Sequence, residues 1–156
     1  MNFRDSLQIE IRFRDLDAFG HVNNAVYLSY IEMGRAHYWK EVFGIKDYSK
    51  VDFILAHVSI DYRSPGYMGE TLLVYSKISK LGTKSFDFQY EIRESKTGRL
   101  IAEASTTQVM FDYAANRSKP IPTEMREKIL TFEGKSTDKK TITERKKTTD
   151  ESRQCL

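Results

Sequence analysis

The chain has a single cysteine, Cys155, next to its C-terminus. One thiol can neither close an internal disulfide nor build a cysteine cage for a metal. No window approaches the roughly 18 uninterrupted apolar residues that a membrane-crossing helix needs. The opening residues, MNFRDSLQIEIRF, lack the apolar stretch of a secretory signal. These absences predict a cytoplasmic protein without a membrane span. Charge of one sign is also scarce. The net charge of +3 arises wholly within residues 135–156, where seven Lys/Arg face four Asp/Glu, and residues 1–134 hold eighteen of each sign. A neutral body offers no electrostatic footprint for nucleic acid, so no such partner is expected. The same C-terminal stretch has only Ile142, Cys155 and Leu156 as apolar side chains. That is too little to offset its ordering entropy, which predicts a folded domain over 1–134 and a charged, disordered tail over 135–156. With 156 residues, 40% hydrophobic and 30% charged, the chain is sized for one domain with a packed core.

What is present reads as strand, long helix, four strands and a short helix. Residues 7–14 alternate, with Leu7, Ile9, Ile11 and Phe13 on one face. A turn-rich stretch, DLDAFGHVNN, follows, and Asn23 or Asn24 can cap the next element because an Asn side chain satisfies first-turn N–H groups. From about residue 25 to 43, Tyr27, Tyr30, Ile31, Gly34, Tyr38 and Val42 fall at helical spacing. Glu32, Arg35 and Lys40 are expected on the solvated side, and Gly44 to end the helix. Residues 54–62 alternate again, placing Ile54, Ala56, Val58, Ile60 and Tyr62 on one face. Two more strands follow, one with Leu72, Val74 and Ile78, the other with Phe86, Phe88, Tyr90 and Ile92. Lys96-Thr97-Gly98 reads as a hairpin turn and residues 100–111 as the last long strand. Pro122 opens a short helix, TEMREKIL, at a tolerated position. The order predicts an α+β domain with one long helix buried against a sheet, compatible with a hotdog fold, a ferredoxin-like fold or other helix-on-sheet layouts.

Several chemistries lack their residues. There is no G-x-S-x-G elbow, no P-loop, and no G-x-G-x-x-G after a strand. His21, His37 and His57 stand 16 and 20 residues apart, without metal-ligand spacing, so no metal site is expected. His37 reads as an ordinary helix residue and His57 as a surface or interface one. What remains is Asp15-Leu16-Asp17-Ala18-Phe19-Gly20-His21-Val22-Asn23-Asn24, which carries carboxylates and an imidazole into a helix N-terminus. Free N–H groups there stabilise negative charge developing on an oxygen. Composition alone favours an ordinary Asp/Asn-rich capped turn over a chemical role.

The run RFRDLDAFGHVNNAVYLSYIEMGR resembles the signature of hotdog-fold thioesterases of the 4-hydroxybenzoyl-CoA thioesterase, YbgC and FadM-like type. Asp15, Asp17, Gly20, Val22, Asn23, Asn24 and Tyr27 carry the pattern, followed by Glu32 and Arg35. DYRSPGYMGETLLV, KISKLGTKSFDFQYEI, AEASTTQVMFD and KPIPTEMREKI continue it in order, to about residue 131. The resemblance implies a five-stranded sheet curled around the helix, and hydrolysis of an acyl thioester carried on coenzyme A or acyl carrier protein. It implies Asp17 as nucleophile or general base, the backbone N–H at Asn24 or its neighbour as carbonyl polariser, and His21 and Asn23 as orienting groups. Asp15 is expected to fix the loop. Substrate contacts are expected from Tyr27, Arg63, Lys80, Lys84 and Ser85, with Arg117 a looser possibility for phosphate. No metal or redox cofactor is implied, coenzyme A being part of the substrate. It further implies a homodimer or homotetramer whose site joins the Asp17 loop of one protomer to residues 57–63 or 80–85 of another. The other readings are a non-catalytic acyl-thioester-binding protein and the hydratase branch of the same fold.

Overall fold

The computed structural model describes residues 2–47 and 51–135. The proposed tail, apart from Lys135, lies outside the described residues. Strand β1 spans Asp5–Glu10, helix α1 Val26–Phe43, β2 Phe53–Tyr62, β3 Thr71–Leu81, β4 Ser85–Glu94, β5 Leu100–Asp112, β6 Arg117–Ser118 and α2 Thr123–Phe132. The five long strands form one antiparallel sheet in the order β1-β3-β4-β5-β2, and the two-residue β6, absent from the sequence reading, pairs with β5.

One face of the sheet buries Leu72, Val74 and Ile78 of β3, Phe86, Phe88, Tyr90 and Ile92 of β4, and Met110 of β5. Helix α1 lays Tyr27, Tyr30, Ile31 and Tyr38 on it. Gly34 marks the closest approach. A Cβ there would stand 2.7 Å from Val74 Cγ1 and 2.9 Å from Ser76 Oγ, so the helix touches β3 only because it has no side chain at that turn. Gly44, with φ +65°, ends α1 in the left-handed conformation as expected.

Helix α2 finishes the sheet. Strand β1 covers β3 only as far as Ser76, which leaves the next β3 edge groups without a ladder partner. The buried Glu133 supplies one: its Oε1 accepts the Ile78 N–H at 2.9 Å and the Tyr38 hydroxyl at 2.7 Å. Burial and that carboxylate push the Tyr38 phenol far above the usual tyrosine range.

Four sequence expectations change. The first strand stops at Glu10 and a 3-10 turn covers Phe13–Asp15, because the Asp15 carboxylate captures the Arg12 N–H; Phe13 is consequently 80% exposed. Arg35 is buried, its Nη1 donating to the Tyr90 hydroxyl at 3.3 Å, instead of facing water with Glu32 and Lys40. A bulge between Leu55 and His57 shifts the phase of β2. Leu55, Val58, Ile60 and Tyr62 thus pair with the helix-facing row of β5, while Ile54 pairs with Val109 on the other face. Helix α2 runs two residues beyond the expected TEMREKIL segment.

Candidate active site

The site grows from the link between β1 and α1. After the 3-10 turn, Leu16 and Val22 pair as an antiparallel bridge and close a tight loop between them. The Asp17 N–H donates to the His21 carbonyl at 2.9 Å and the Gly20 N–H to the Asp17 carbonyl at 3.2 Å. Gly20 takes φ +83°, which the turn requires and which other residues adopt only at a cost. The loop sets the Asp17 carboxylate: Oδ1 accepts the Phe19 N–H at 2.8 Å, and Oδ2 lies 3.5 Å from His21 Nδ1.

Asp15 is the anchor expected of it. It is buried, and its carboxylate accepts the backbone N–H, Nε and Nη2 of Arg12 at 2.9, 3.2 and 3.1 Å and the Tyr30 hydroxyl at 2.9 Å. Burial by itself would raise its pKa, but the hydrogen bonds from Arg12 and Tyr30 outweigh it and hold the carboxyl below the usual aspartate range. Its carbonyl also takes the Asn23 N–H at 2.9 Å. Neither Asn23 nor Asn24 caps α1: the N-cap is Ala25, without a side-chain cap bond, and Asn23 Oδ1 instead accepts the Ala25 N–H at 2.9 Å in the turn that leads into the helix. Among the described residues the Asn24 N–H faces no acceptor.

A second loop backs the first. The Val22 N–H donates to the Gly66 carbonyl at 2.9 Å, His21 pairs with Tyr67, and the Gly66 N–H donates to the Tyr27 hydroxyl at 3.0 Å. Arg99, from the β4–β5 turn, clamps this loop through the Ser64 hydroxyl, the Pro65 carbonyl and the Glu70 carboxylate. Between the two loops lies a cleft of about 310 Å³ lined by His21, Val22, Asn24, Tyr27, Tyr62, Arg63, Ser64 and Pro65. Asp17 is not among the lining side chains and meets the cleft through His21.

His21, Asn24 and Tyr27 therefore meet at the cleft, with Asp17 behind His21 and Asn23 in the adjoining turn. Arg63 also lines the cleft, with its guanidinium paired to Glu103 at 2.9 Å. Lys80, Lys84 and Ser85 do not converge with them. They lie at the far end of β3, whose 11 residues span roughly 35 Å at about 3.3 Å per residue. There the Ser85 carbonyl accepts the Gly82 N–H and Lys84 Nζ donates to the Ser118 hydroxyl. Arg117 opens β6, opposite Asp112 of β5. The sequence reading missed the supporting roles of Arg12, Tyr30, Tyr62, Glu70 and Arg99. No local pattern marks them, since each meets the loop across a long stretch of chain or from a turn.

A long helix laid on an antiparallel sheet, with a carboxylate loop feeding its N-terminus, defines a hotdog-fold thioester hydrolase. Residues 11–129 match the model of the Thioesterase-like superfamily, and the chain belongs to that family. It is 29% identical over 127 residues to the long-chain acyl-CoA thioesterase FadM of Escherichia coli, covering 78% of this chain and 94% of FadM. It is 31% identical over 133 residues to the chloroplastic acyl-acyl carrier protein thioesterase ATL3 of Arabidopsis thaliana, covering 80% of this chain and 68% of ATL3. A thioesterase of Thermus thermophilus, solved with coenzyme A and Zn, superposes with a TM-score of 0.78 at 31% identity, over 86% of this chain and 98% of that one. The reaction class of the chain is thioester hydrolysis. Among the described residues no group of three or more His, Cys, Asp or Glu stands together as a metal site, and no helix is long and apolar enough to cross a membrane.

Proposed function

We propose that this chain hydrolyses an acyl thioester of coenzyme A, with Asp17 as the reacting carboxylate and the Asn24 N–H as the group that receives the carbonyl oxygen. The observation that supports the reading is a cleft lined by His21 and Asn24, where an N–H without an acceptor at the start of α1 stands close to an imidazole whose Nδ1 lies 3.5 Å from the Asp17 carboxylate. In the nucleophilic route, an Asp17 oxygen adds to the thioester carbon and the carbonyl oxygen takes up the negative charge. The carbon–sulfur bond then breaks, the thiolate leaves and picks up a proton, and water opens the anhydride. In the general-base route, Asp17 takes a proton from the water that attacks. Single turnover in ¹⁸O-labelled water that leaves label in Asp17 identifies the first route, with water opening the anhydride at the aspartyl carbonyl, since the general-base route cannot label Asp17. Neither route calls for a metal or redox cofactor.

The acyl group has a place to lie. A groove of about 450 Å³ runs between α1 and β2, with Leu28, Ile31, Leu55 and Val58 in its walls. Leu28 stands one turn beyond Asn24, which brings the groove near the cleft, and Glu32 and Arg35 add polar groups to its walls. Strand β2 is a ten-residue sheet edge with Ile54, Leu55 and Val58 exposed. Long apolar edges of this kind are normally covered, which supports a homodimer through β2, or a tetramer built from such dimers. The partner's basic turn at 80–85 would then serve the nucleotide of the substrate, and the cytoplasm is where acyl-CoA would be met.

The test is thiol release across acyl-CoA chain lengths, repeated with acyl-carrier-protein thioesters. The wild type is expected to cleave the coenzyme A esters, and Asp17→Asn to lose at least about a hundredfold in kcat. Cleavage of the carrier-protein esters alone would move the substrate to the ATL3-like class. No cleavage of any thioester would remove the reading.

A further inference from the structure

Tyr62 is the last residue of β2, and its alternation pattern marks it as one more sheet side chain. Its surroundings are different. The ring is 44% exposed, lies 5.6 Å from the Tyr27 ring, and lines the cleft. Its hydroxyl donates to the Asn24 carbonyl at 2.8 Å. The N–H of that same peptide, on Ala25, donates to Asn23 Oδ1 at 2.9 Å. On the other side, the Asn23 N–H is held by the Asp15 carbonyl and the Asn23 carbonyl by the Val26 N–H, each at 2.9 Å. A peptide group is planar, so the Val26 N–H, by holding the Asn23 carbonyl, fixes the direction of the Asn24 N–H in that same peptide, while Tyr62 holds the next peptide, on the other side of the Asn24 Cα. Each peptide group flanking the Asn24 N–H is thereby fastened, and that N–H alone is left over. Tyr62 provides the one fastening that comes from a side chain distant in sequence.

We propose that Tyr62 is a positioning residue, whose hydroxyl, by holding the Asn24 carbonyl, restrains backbone rotation at Asn24 and so steadies the Asn24 N–H that faces the substrate oxygen. The proposal rests on the reading of the site given above. It also makes the edge strand part of the site, so whatever covers β2 bears on the aim of this N–H. Because the hydroxyl proton is spent on Asn24, Tyr62 does no proton transfer of its own.

Tyr62→Phe removes the hydroxyl and keeps the ring. The expected result is a kcat about tenfold lower, since small misplacements of reacting groups are costly, with KM within about twofold and an unchanged melting temperature. The backbone amide resonances of Asn24 and Ala25 should shift and exchange faster with solvent. A wild-type kcat in Tyr62→Phe, alongside a dead Asp17→Asn, would overturn the proposal. So would a raised KM at constant kcat, which would make the hydroxyl a ground-state substrate contact. The amide measurement needs no turnover. Unmoved Asn24 and Ala25 resonances would overturn the positioning role, whereas an active Asp17→Asn would overturn only the underlying reading of the site.

Discussion

The two ends of α1 are held in place by different physics. Around its first turns the fastenings are single hydrogen bonds from tyrosine hydroxyls: Tyr30 to Asp15, Tyr62 to Asn24, and Tyr27 accepting from Gly66. Around its last turns the Tyr38–Glu133 and His37–Asp5 bonds are joined by extensive contact area. Trp39 lies within 6.0 Å, ring to ring, of Tyr38, Phe43, Phe53, Phe86 and Phe88, and is almost wholly buried. Its indole N–H is buried without a hydrogen-bond partner among the described residues. Directional bonds hold a few atoms to a fraction of an ångström, which a reacting carboxylate needs. Apolar contact is non-directional and sums over many atoms, which stability needs. One helix therefore carries the anchor of the fold at one end and the aim of the chemistry at the other.

The comparison breaks if stability and turnover do not separate. Trp39→Ala empties the aromatic end and loses no hydrogen bond, so its whole cost is cavity and lost contact, about 3–5 kcal/mol by denaturant unfolding. The kcat per folded molecule should stay near wild type. Asp17→Asn should do the reverse, with kcat down at least about a hundredfold, near 2.7 kcal/mol of transition-state stabilisation, at unchanged unfolding free energy. His21→Ala, which removes the neighbour 3.5 Å from the carboxylate, should fall between wild type and Asp17→Asn in kcat. A Trp39→Ala protein that is stable but inactive would mean that the two ends are not separable.

The sequence revealed these parts unevenly. Local rules found most of the helix–sheet core along both ends of α1, though not Trp39, Phe43 or Phe53. The helical spacing of Tyr27, Tyr30, Ile31, Gly34 and Tyr38 and the alternation of Phe86, Phe88, Tyr90 and Ile92 are side-chain periods set by the backbone, and each of these residues is buried. The loop at 15–24 was legible as chemistry because its residues are consecutive. What failed depended on a single bond or one added residue. The Arg12–Asp15 hydrogen bonds turned a strand into a 3-10 turn at Phe13. One bulge moved Ile54 to the opposite face. Arg35 was placed in water by its charge, yet it is buried where Tyr90 offers a hydroxyl. Glu133, Tyr62 and Arg99 act on segments 30 or more residues away, beyond any local pattern.

Acid should separate the ends again, with smaller effects. The folded pKa of Asp15 lies below its ordinary value, so its contribution is fully present above that value and is lost as pH falls through the folded one. Asp5 has the opposite sign. Burial, only partly offset by the facing His37 and reinforced by the negative charges of Glu41 and Glu133, raises its pKa, so its contribution is present in acid and lost as pH rises. Hydrogen exchange followed below the aspartate range should therefore show the loop at 12–24 opening before the Asp5–His37 contact. Asp15→Asn mimics the acid state at neutral pH. It should cost about 1–2 kcal/mol of stability, discounted because Arg12 is half exposed, and less than about tenfold in turnover. A loss of turnover as large as that of Asp17→Asn would give Asp15 the chemistry instead.

The smallest expected effect is removal of everything after Gly134. Residues 135–156 supply few apolar side chains, and the family match ends at 129. Lys135 itself contributes solvent-accessible bonds from Nζ to the Ile78 and Ser79 carbonyls at 3.3 and 3.1 Å. Exposed bonds of this kind are worth about 0.5–1 kcal/mol, and they touch the far end of β3 rather than the cleft. Truncation after Gly134 should therefore leave kcat/KM within about threefold of the full chain. Moving the cut two residues back sharpens the point. Ending at Phe132 removes Glu133 and leaves the buried Tyr38 hydroxyl and Ile78 N–H without their acceptor, at about 1–3 kcal/mol for each group so stranded. A steep drop in stability between these two cuts, with little drop before the first, would place the C-terminal boundary of the folded domain at Glu133. A tenfold loss of kcat/KM on the first cut would show that the charged tail takes part in hydrolysis.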